Sequence, residues 1–346
     1  MRSTSRALAL LLPVSLLLAQ APVVRPLPRF DGYFRAELDY DDNVFRYSTE
    51  DLDAFRMSEE PERFPIRSAD DLDVAVSGGL KFRYHRGRRW GNLRLRVKLH
   101  GFASNWQKSY GWTRLEVYQS VWRGGRVSAG LLWMPSYLIR HYRSHTLPEQ
   151  GFQGCRFSEY LVTVSFRQRL GRAFVEPRYR YEIDDYLVAF DYYDTRAHRV
   201  GVEAGLEVVR GLDAKLDYEY KVATAAGPVP DISYGQHEGR VEVTTRPRPF
   251  PSLQVTAGFG VEFRDYTTEN SADLDPAHAE REDIIENFSL ELSYRVGTAR
   301  LLARYEREWR ETESPYSERI EDIKQYTSNR FRLGAVVSPA GLFAGR

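Results

Sequence analysis

From about Phe30 to Val337, apolar and polar residues alternate through fourteen segments. Successive side chains of an extended chain point to opposite faces, so each segment reads as a two-faced strand. In 71–84, Leu72, Val74, Val76, Leu80, Phe82 and Tyr84 fall on one face, and Asp71, Asp73, Ser77, Lys81 and Arg83 on the other. The strictest case is 212–223, where Ala214, Leu216, Tyr218, Tyr220 and Val222 oppose Asp213, Lys215, Asp217, Glu219 and Lys221. The segments run to about 10–14 residues; a soluble strand averages about 5–6, and a tilted membrane strand needs about 9–11. The connections after the even-numbered segments are short, as at Arg123-Gly124-Gly125-Arg126, Arg169-Leu170-Gly171-Arg172 and Gly297-Thr298, while most of the others are longer. A soluble antiparallel sandwich also alternates, but it has no reason to sort its connections by length. The expected fold is therefore all-β: a transmembrane antiparallel up-and-down β-barrel of about fourteen strands (about 12–16), with short periplasmic turns and long external loops.

Composition agrees with spanning by strands. The 346-residue chain is 42% hydrophobic with a mean hydropathy of −0.51, and beyond its first residues no stretch approaches the roughly 20 apolar residues of a spanning helix. Aromatic residues make up 13%, which suits girdles at two membrane interfaces. Residues 1–21 read as a secretory signal: Arg2 and Arg6 precede the apolar stretch Ala7–Leu18 and the small-residue site Ala19-Gln20-Ala21. The expected divisions are then a periplasmic segment 22–30, a barrel 31–337 and a tail 338–346. Export of the Sec type to a bacterial outer membrane follows from the same reading. The lone Cys155 forms no internal disulfide, and a net charge of +1 leaves no nucleic-acid footprint.

An Arg or Lys facing lipid at mid-membrane costs roughly 2–4 kcal/mol, which assigns the charged rows to the interior. The expected pore-lining set is Lys81, Arg83, Arg94, Arg96, Lys98, Arg178 and Arg180 on a basic side, with Glu203, Glu207, Asp217, Glu219, Glu238 and the neighbouring Arg240 on a largely acidic one. Two arrangements remain open: opposed walls that set up a transverse field, or charges that pair between neighbouring strands. The stretch 136–157 reads as a long third external loop whose Arg140, His141, Tyr142 and Arg143 are candidate constriction residues. His141 and His145 lack a third ligand, so no metal is expected. The acids Asp184, Asp185, Asp191 and Asp194 read as a solvated loop. No Gly-x-Ser-x-Gly motif or other catalytic set is present, and no cofactor is expected.

Tyr40-Asp41-Asp42-Asn43-Val44-Phe45-Arg46, where the first strand enters its long loop, resembles a stretch near the start of β-barrel porins found with bacterial exopolysaccharide loci. The resemblance covers seven residues and implies an outer-membrane barrel tied to saccharide passage. The expected role is a porin-like channel for diffusion or export of hydrophilic solutes, saccharides among them. Alternatives are a non-conducting structural or assembly-associated barrel with an ion-paired lumen, and a lipid-modifying enzyme. Expected partners are outer-membrane lipid and lipopolysaccharide, the barrel assembly machinery, and polysaccharide or small hydrophilic solutes. Near the C-terminus, Arg332-x-Gly334-x-x-Val337 is similar to the closing-strand signal of such barrels.

Overall fold

The computed structural model describes residues 29–86, 89–227, 229–316 and 318–338. The expected signal 1–21, residues 22–28 of the next segment and residues 339–346 of the tail lie outside those residues; Arg29 and Phe30 already belong to the first strand. In chain order the elements are β1 (Arg29–Asp41), α1 (Thr49–Arg56), β2 (Asp71–Arg86), β3 (Arg89–Phe102), β4 (Tyr110–Trp122), β5 (Gly125–Arg143), β6 (Phe152–Leu170), β7 (Ala173–Tyr186), β8 (Thr195–Val209), β9 (Leu212–Ala225), β10 (Tyr234–Thr245), β11 (Leu253–Tyr266), β12 (Glu282–Val296), β13 (Ala299–Glu313), α2 (Glu318–Lys324) and β14 (Tyr326–Val337).

Each strand pairs antiparallel with its chain neighbours, and β1 pairs with β14 from Phe34↔Val337 to Asp41↔Arg330, so the described sheet is a closed fourteen-stranded barrel. Closure removes every sheet edge, which hydrocarbon demands because it offers no partner to a bare N–H or C=O. No described helix is long and apolar enough to cross a membrane. The strands run from 12 residues in β10 and β14 to 19 in β5 and β6.

The alternation becomes an inside-out arrangement. Along β2, Asp71, Asp73, Ala75 and Ser77 are buried, while Leu72, Val74, Val76 and Leu80 are exposed. The same exposed row continues through Leu93, Leu95, Val97 and Leu99 of β3 and Phe288, Leu290 and Leu292 of β12. A soluble sheet would bury that row; here the solvent for it is lipid.

The connections sort by end. β4–β5, β6–β7, β8–β9 and β12–β13 are joined by two residues each, and Gly124, Gly171, Gly211 and Gly297 take φ of 79°, 61°, 91° and 59° there. Only glycine adopts that left-handed region without a Cβ penalty, so these four glycines permit the tight hairpins.

Two loops differ from expectation. The stretch 136–157 is mostly strand: β5 continues to Arg143 and β6 starts at Phe152, leaving only 144–151 as the connection. Register shifts between Met134 and Tyr137 and between Leu138 and His141 hide this extension, because each shift turns side chains to the other face and breaks the alternation. The first connection, which reads as a plain polar loop, instead contains α1 and a buried apolar cluster. Leu290→Arg, on the outward row of β12, is expected to lower stability in lipid vesicles by roughly 2–4 kcal/mol in a urea unfolding titration.

Candidate functional site: the charged interior and its outer mouth

The interior charges pair mainly between nearby strands. Glu219 of β9 accepts from Arg178 Nε at 3.1 Å, Arg180 at 3.2 Å and Arg199 at 3.2 Å. Asp217 takes both terminal nitrogens of Arg178, one of them at 2.5 Å. Glu182 of β7 holds Lys221 at 2.8 Å and also Arg199. Arg178 reaches β9 across β8 because Gly201 lies between them: a Cβ there would sit 2.8 Å from the Tyr218 carbonyl and 3.2 Å from Arg178 Nε. Carboxylates bonded to several guanidinium groups make the charge-assisted bonds that are worth most away from bulk water.

A second network surrounds the seam. Glu37 of β1 holds Lys98 at 3.0 Å and Arg35 at 2.5 Å, Asp39 holds Arg332 at 2.8 Å, and Asp41 holds Arg330 at 3.0 Å. Arg96 pairs with Glu116 at 2.5 Å, Arg83 with Asp31 at 2.8 Å, and Glu203 with Arg167 at 2.8 Å. Lys81, Arg94, Glu207 and Glu238 make no ion pair with a described residue; Arg94 lies 4.6 Å over the Tyr118 ring, and Arg240 reaches Ser289 at 3.5 Å. Of the two arrangements left open, pairing between neighbours therefore accounts for most of β7–β9. The unpaired Arg94 and Glu238 sit on β3 and β10, seven strands apart in the ring of fourteen and so on opposite walls.

The outer mouth is occupied by the first connection, residues 42–70. Its path is fixed by the heptapeptide 40–46. The backbone N–H of Asn43 and the Ser328 hydroxyl each donate to Asp41 at 2.9 Å. Asn329 donates to Asp42 through its backbone and side-chain nitrogens, both at 2.7 Å. Asn43 Nδ2 donates to the carbonyls of Tyr47, at 2.7 Å, and Thr327, at 3.1 Å. Beyond this anchor Val44, Phe45, Tyr47 and Phe64 bury themselves against Leu138 of β5. Ser48 caps α1, its hydroxyl accepting from Asp51 N at 3.0 Å.

The connection also bridges the opening. Arg46 has a left-handed φ of 57° and its Nε donates to Glu308 of β13 at 2.9 Å, while its carbonyl accepts from Arg140 of β5. β13 and β5 lie six strands apart around the seam, close to a diameter. Lys108, in the β3–β4 connection, donates to the Leu138 and Ile139 carbonyls at 2.7 and 3.0 Å and lies 5.0 Å over the Phe45 ring. Burial, then the Arg46 and Arg140 charges, push its ammonium well below the ordinary lysine range. From the other side α2 places Lys324 5.3 Å over the Tyr142 ring.

Two chambers result. An outer one of about 310 Å³ is lined by Tyr47, Asp51, Arg63, His141, Phe152 and the α2 isoleucines, among others. An inner one of about 450 Å³ is lined by residues that include Asp39, Lys98, Tyr110, Trp112, Tyr137, Arg310 and Arg332. Arg140, Tyr142 and Lys324 line both and so stand at the boundary between them, the neck of the interior. Of the candidate constriction residues, Arg140 and Tyr142 thus stand at the neck, His141 faces the outer chamber, and Arg143 covers the Phe152 ring at 5.2 Å. They do so from a strand, not from an inturned third loop. Sequence reading passed over Lys324, at the end of α2, and Lys108, in the β3–β4 connection, where no strand periodicity marks them.

The acids of the β7–β8 connection take structural places. Asp184 and Asp185 are on β7, Asp184 accepts from Thr195 at 3.1 Å, and Asp194 accepts from Tyr186 N at 2.7 Å. Burial raises Asp194 above the usual carboxylate range. Among the described residues no group of His, Cys, Asp and Glu is placed to hold a metal ion.

No family model matches the sequence, and no curated protein does. Solved structures do. The outer membrane channel DcaP of Acinetobacter baumannii superimposes with a TM-score of 0.53 at 14% identity, covering 92% of this chain and 100% of that one. OmpT of Vibrio cholerae gives 0.49 at 10% identity, over 92% and 100%. A bacterial polysaccharide outer membrane secretin gives 0.47 at 11% identity, over 88% and 97%. The first likeness shows the fold. This chain has the architecture of an outer-membrane barrel.

Glu219→Gln is expected to cost about 1.5–3 kcal/mol, because it removes the shared charge from three guanidinium groups. Gly201→Val is expected to destabilise in the same direction by blocking the Arg178 crossing; urea titrations in lipid vesicles measure both. Phe45→Ala removes the anchor of the first connection, and trypsin should then cut faster after the exposed Arg56, as followed by mass spectrometry.

Proposed function

We propose that this protein is an outer-membrane porin-like channel through which hydrophilic solutes pass passively, saccharides being the favoured class. The observation that carries this reading is the pair of chambers, an outer one with a largely apolar lining and an inner one with a largely polar lining, which border each other at Arg140, Tyr142 and Lys324 inside a closed barrel. A barrel of about 8 strands is filled by its own side chains, whereas one of about 16–18 holds an aqueous channel, so fourteen strands plus an inturned connection suit a narrow path. The likeness to an outer membrane channel, DcaP, supports the same reading. In this reading the apolar rows meet outer-membrane lipid and the chain reaches that membrane by Sec-type export and the barrel assembly machinery.

One set of contacts favours a second reading, a barrel sealed at its mouth: Arg46 ties β13 to β5 through Glu308 and Arg140. Liposome swelling with sugars of rising size separates the two. A channel admits small sugars with a sharp size limit, and deletion of 46–66 raises both the rate and the limit. A wild-type protein that admits none, beside a deletion variant that does, would establish the sealed barrel and end the channel reading.

A further inference from the structure

The inner chamber has a marked imbalance of charge. Its lining carries eight Lys and Arg side chains against the three carboxylates Asp39, Asp41 and Asp73. Most of these cations are already matched by carboxylates on the wall, as Arg332 is by Asp39 and Arg310 by Asp283. Lys108 spends its donors on two backbone carbonyls. Lys324 is different. It stands at the neck, lines both chambers and lies over the face of Tyr142; among the described residues it makes no ion pair or hydrogen bond, and Asp283 is the carboxylate whose charge it feels. Arg140 beside it donates to one carbonyl and has its nearest carboxylate, Asp51, at 3.6 Å. Burial, then the Arg140, Arg281 and Arg310 charges, push the Lys324 ammonium well below the ordinary lysine range, so an anion arriving between it and the loosely paired Arg140 guanidinium restores its charge and gains charge-assisted bonds.

The rest of the chamber bears on the ligand's shape. Trp112, Tyr110 and Tyr137 line it, and Tyr110 stacks on His100 with ring centroids 4.3 Å apart. Flat rings with polar rims suit the apolar C–H faces of a pyranose. The volume, about 450 Å³, lies within the range of small-molecule sites, roughly 300–1,000 Å³.

We propose that the neck and inner chamber bind a sugar that carries a carboxylate, with the carboxylate at Lys324 and Arg140 and the ring against the aromatic wall. This rests on the channel reading only for its purpose; the site itself does not require that solutes pass. The test is therefore a binding measurement on the full-length protein in non-ionic detergent, by titration calorimetry with D-glucuronate, D-glucose and acetate. Glucuronate is expected to bind, with glucose and acetate each weaker by about tenfold or more, the scale of one charge-assisted bond or one ring contact. Lys324→Gln is expected to weaken glucuronate by about tenfold and leave glucose unchanged, and Lys324→Arg to restore most of the loss. Far-ultraviolet circular dichroism checks that both variants fold. Equal binding of glucose and glucuronate, or of acetate and glucuronate, overturns the proposal, as does a folded Lys324→Gln that binds glucuronate like the wild type. Binding without liposome swelling would end the channel reading and keep the site, and swelling without binding would do the reverse.

Discussion

Lipid outside and charge inside is the constraint on which the other features depend. Once the outward rows are committed to hydrocarbon, the ionised side chains of the strands turn to the interior, and most of them find partners there. Glu219 answers three arginines and Glu37 answers Arg35 and Lys98. The near-equality of 49 basic and 48 acidic residues is what such internal matching produces. The interior networks also limit which groups remain free. Lys324 stands out at the neck because nearly every cation around it is already occupied.

The β7–β10 wall shows how the matching is organised. Residues 39 apart pair: Arg178 with Asp217, Arg180 with Glu219, and Glu182 with Lys221. The same offset relates Tyr179 to Tyr218, Tyr181 to Tyr220 and His198 to His237 on the outward face. There Tyr179 and Tyr218 meet His198 and His237 at 2.7 and 2.8 Å. Two successive hairpins thus share an outward pattern while the inward charges of β7 are inverted on β9. Inversion is what lets neighbouring copies of one hairpin pattern lie side by side, since an unaltered copy would set like charges against each other.

The barrel was legible because its signal is periodic. Leu216 to Val222 and Leu93 to Leu99 name their face from spacing alone, and the glycine turns name the hairpin ends. Legibility ended where periodicity did. The β5–β6 extension was missed because bulges near Pro135 and Ile139 displace the alternation, and between them Leu138 packs with Phe45 and Tyr47, residues nearly a hundred positions earlier. The neck was half legible. Arg140 and Tyr142 were flagged by their residue types, but the loop expected to carry them inward is a strand. Their partner Lys324 comes from a connection that sequence gives no reason to fold inward.

The heptapeptide at 40–46 joins these levels. Read as sequence it is a strand exit rich in Asp and Asn, where side chains commonly bond the local backbone. In the structure Asp41 and Asp42 bond β14 while Asn43 turns the chain and Phe45 and Arg46 cross the mouth. The residues that hold the β1–β14 seam closed at its outer end therefore also hold the bridging connection in place. A change at Asp41 would act on the seam and on the mouth together, because Arg330 and Arg46 share its one carboxylate oxygen, at 3.0 and 2.9 Å. Closure of the barrel and narrowing of its mouth are thus one hydrogen-bonded unit. The neck is built against a wall that could not be complete until the last strand had docked on the first.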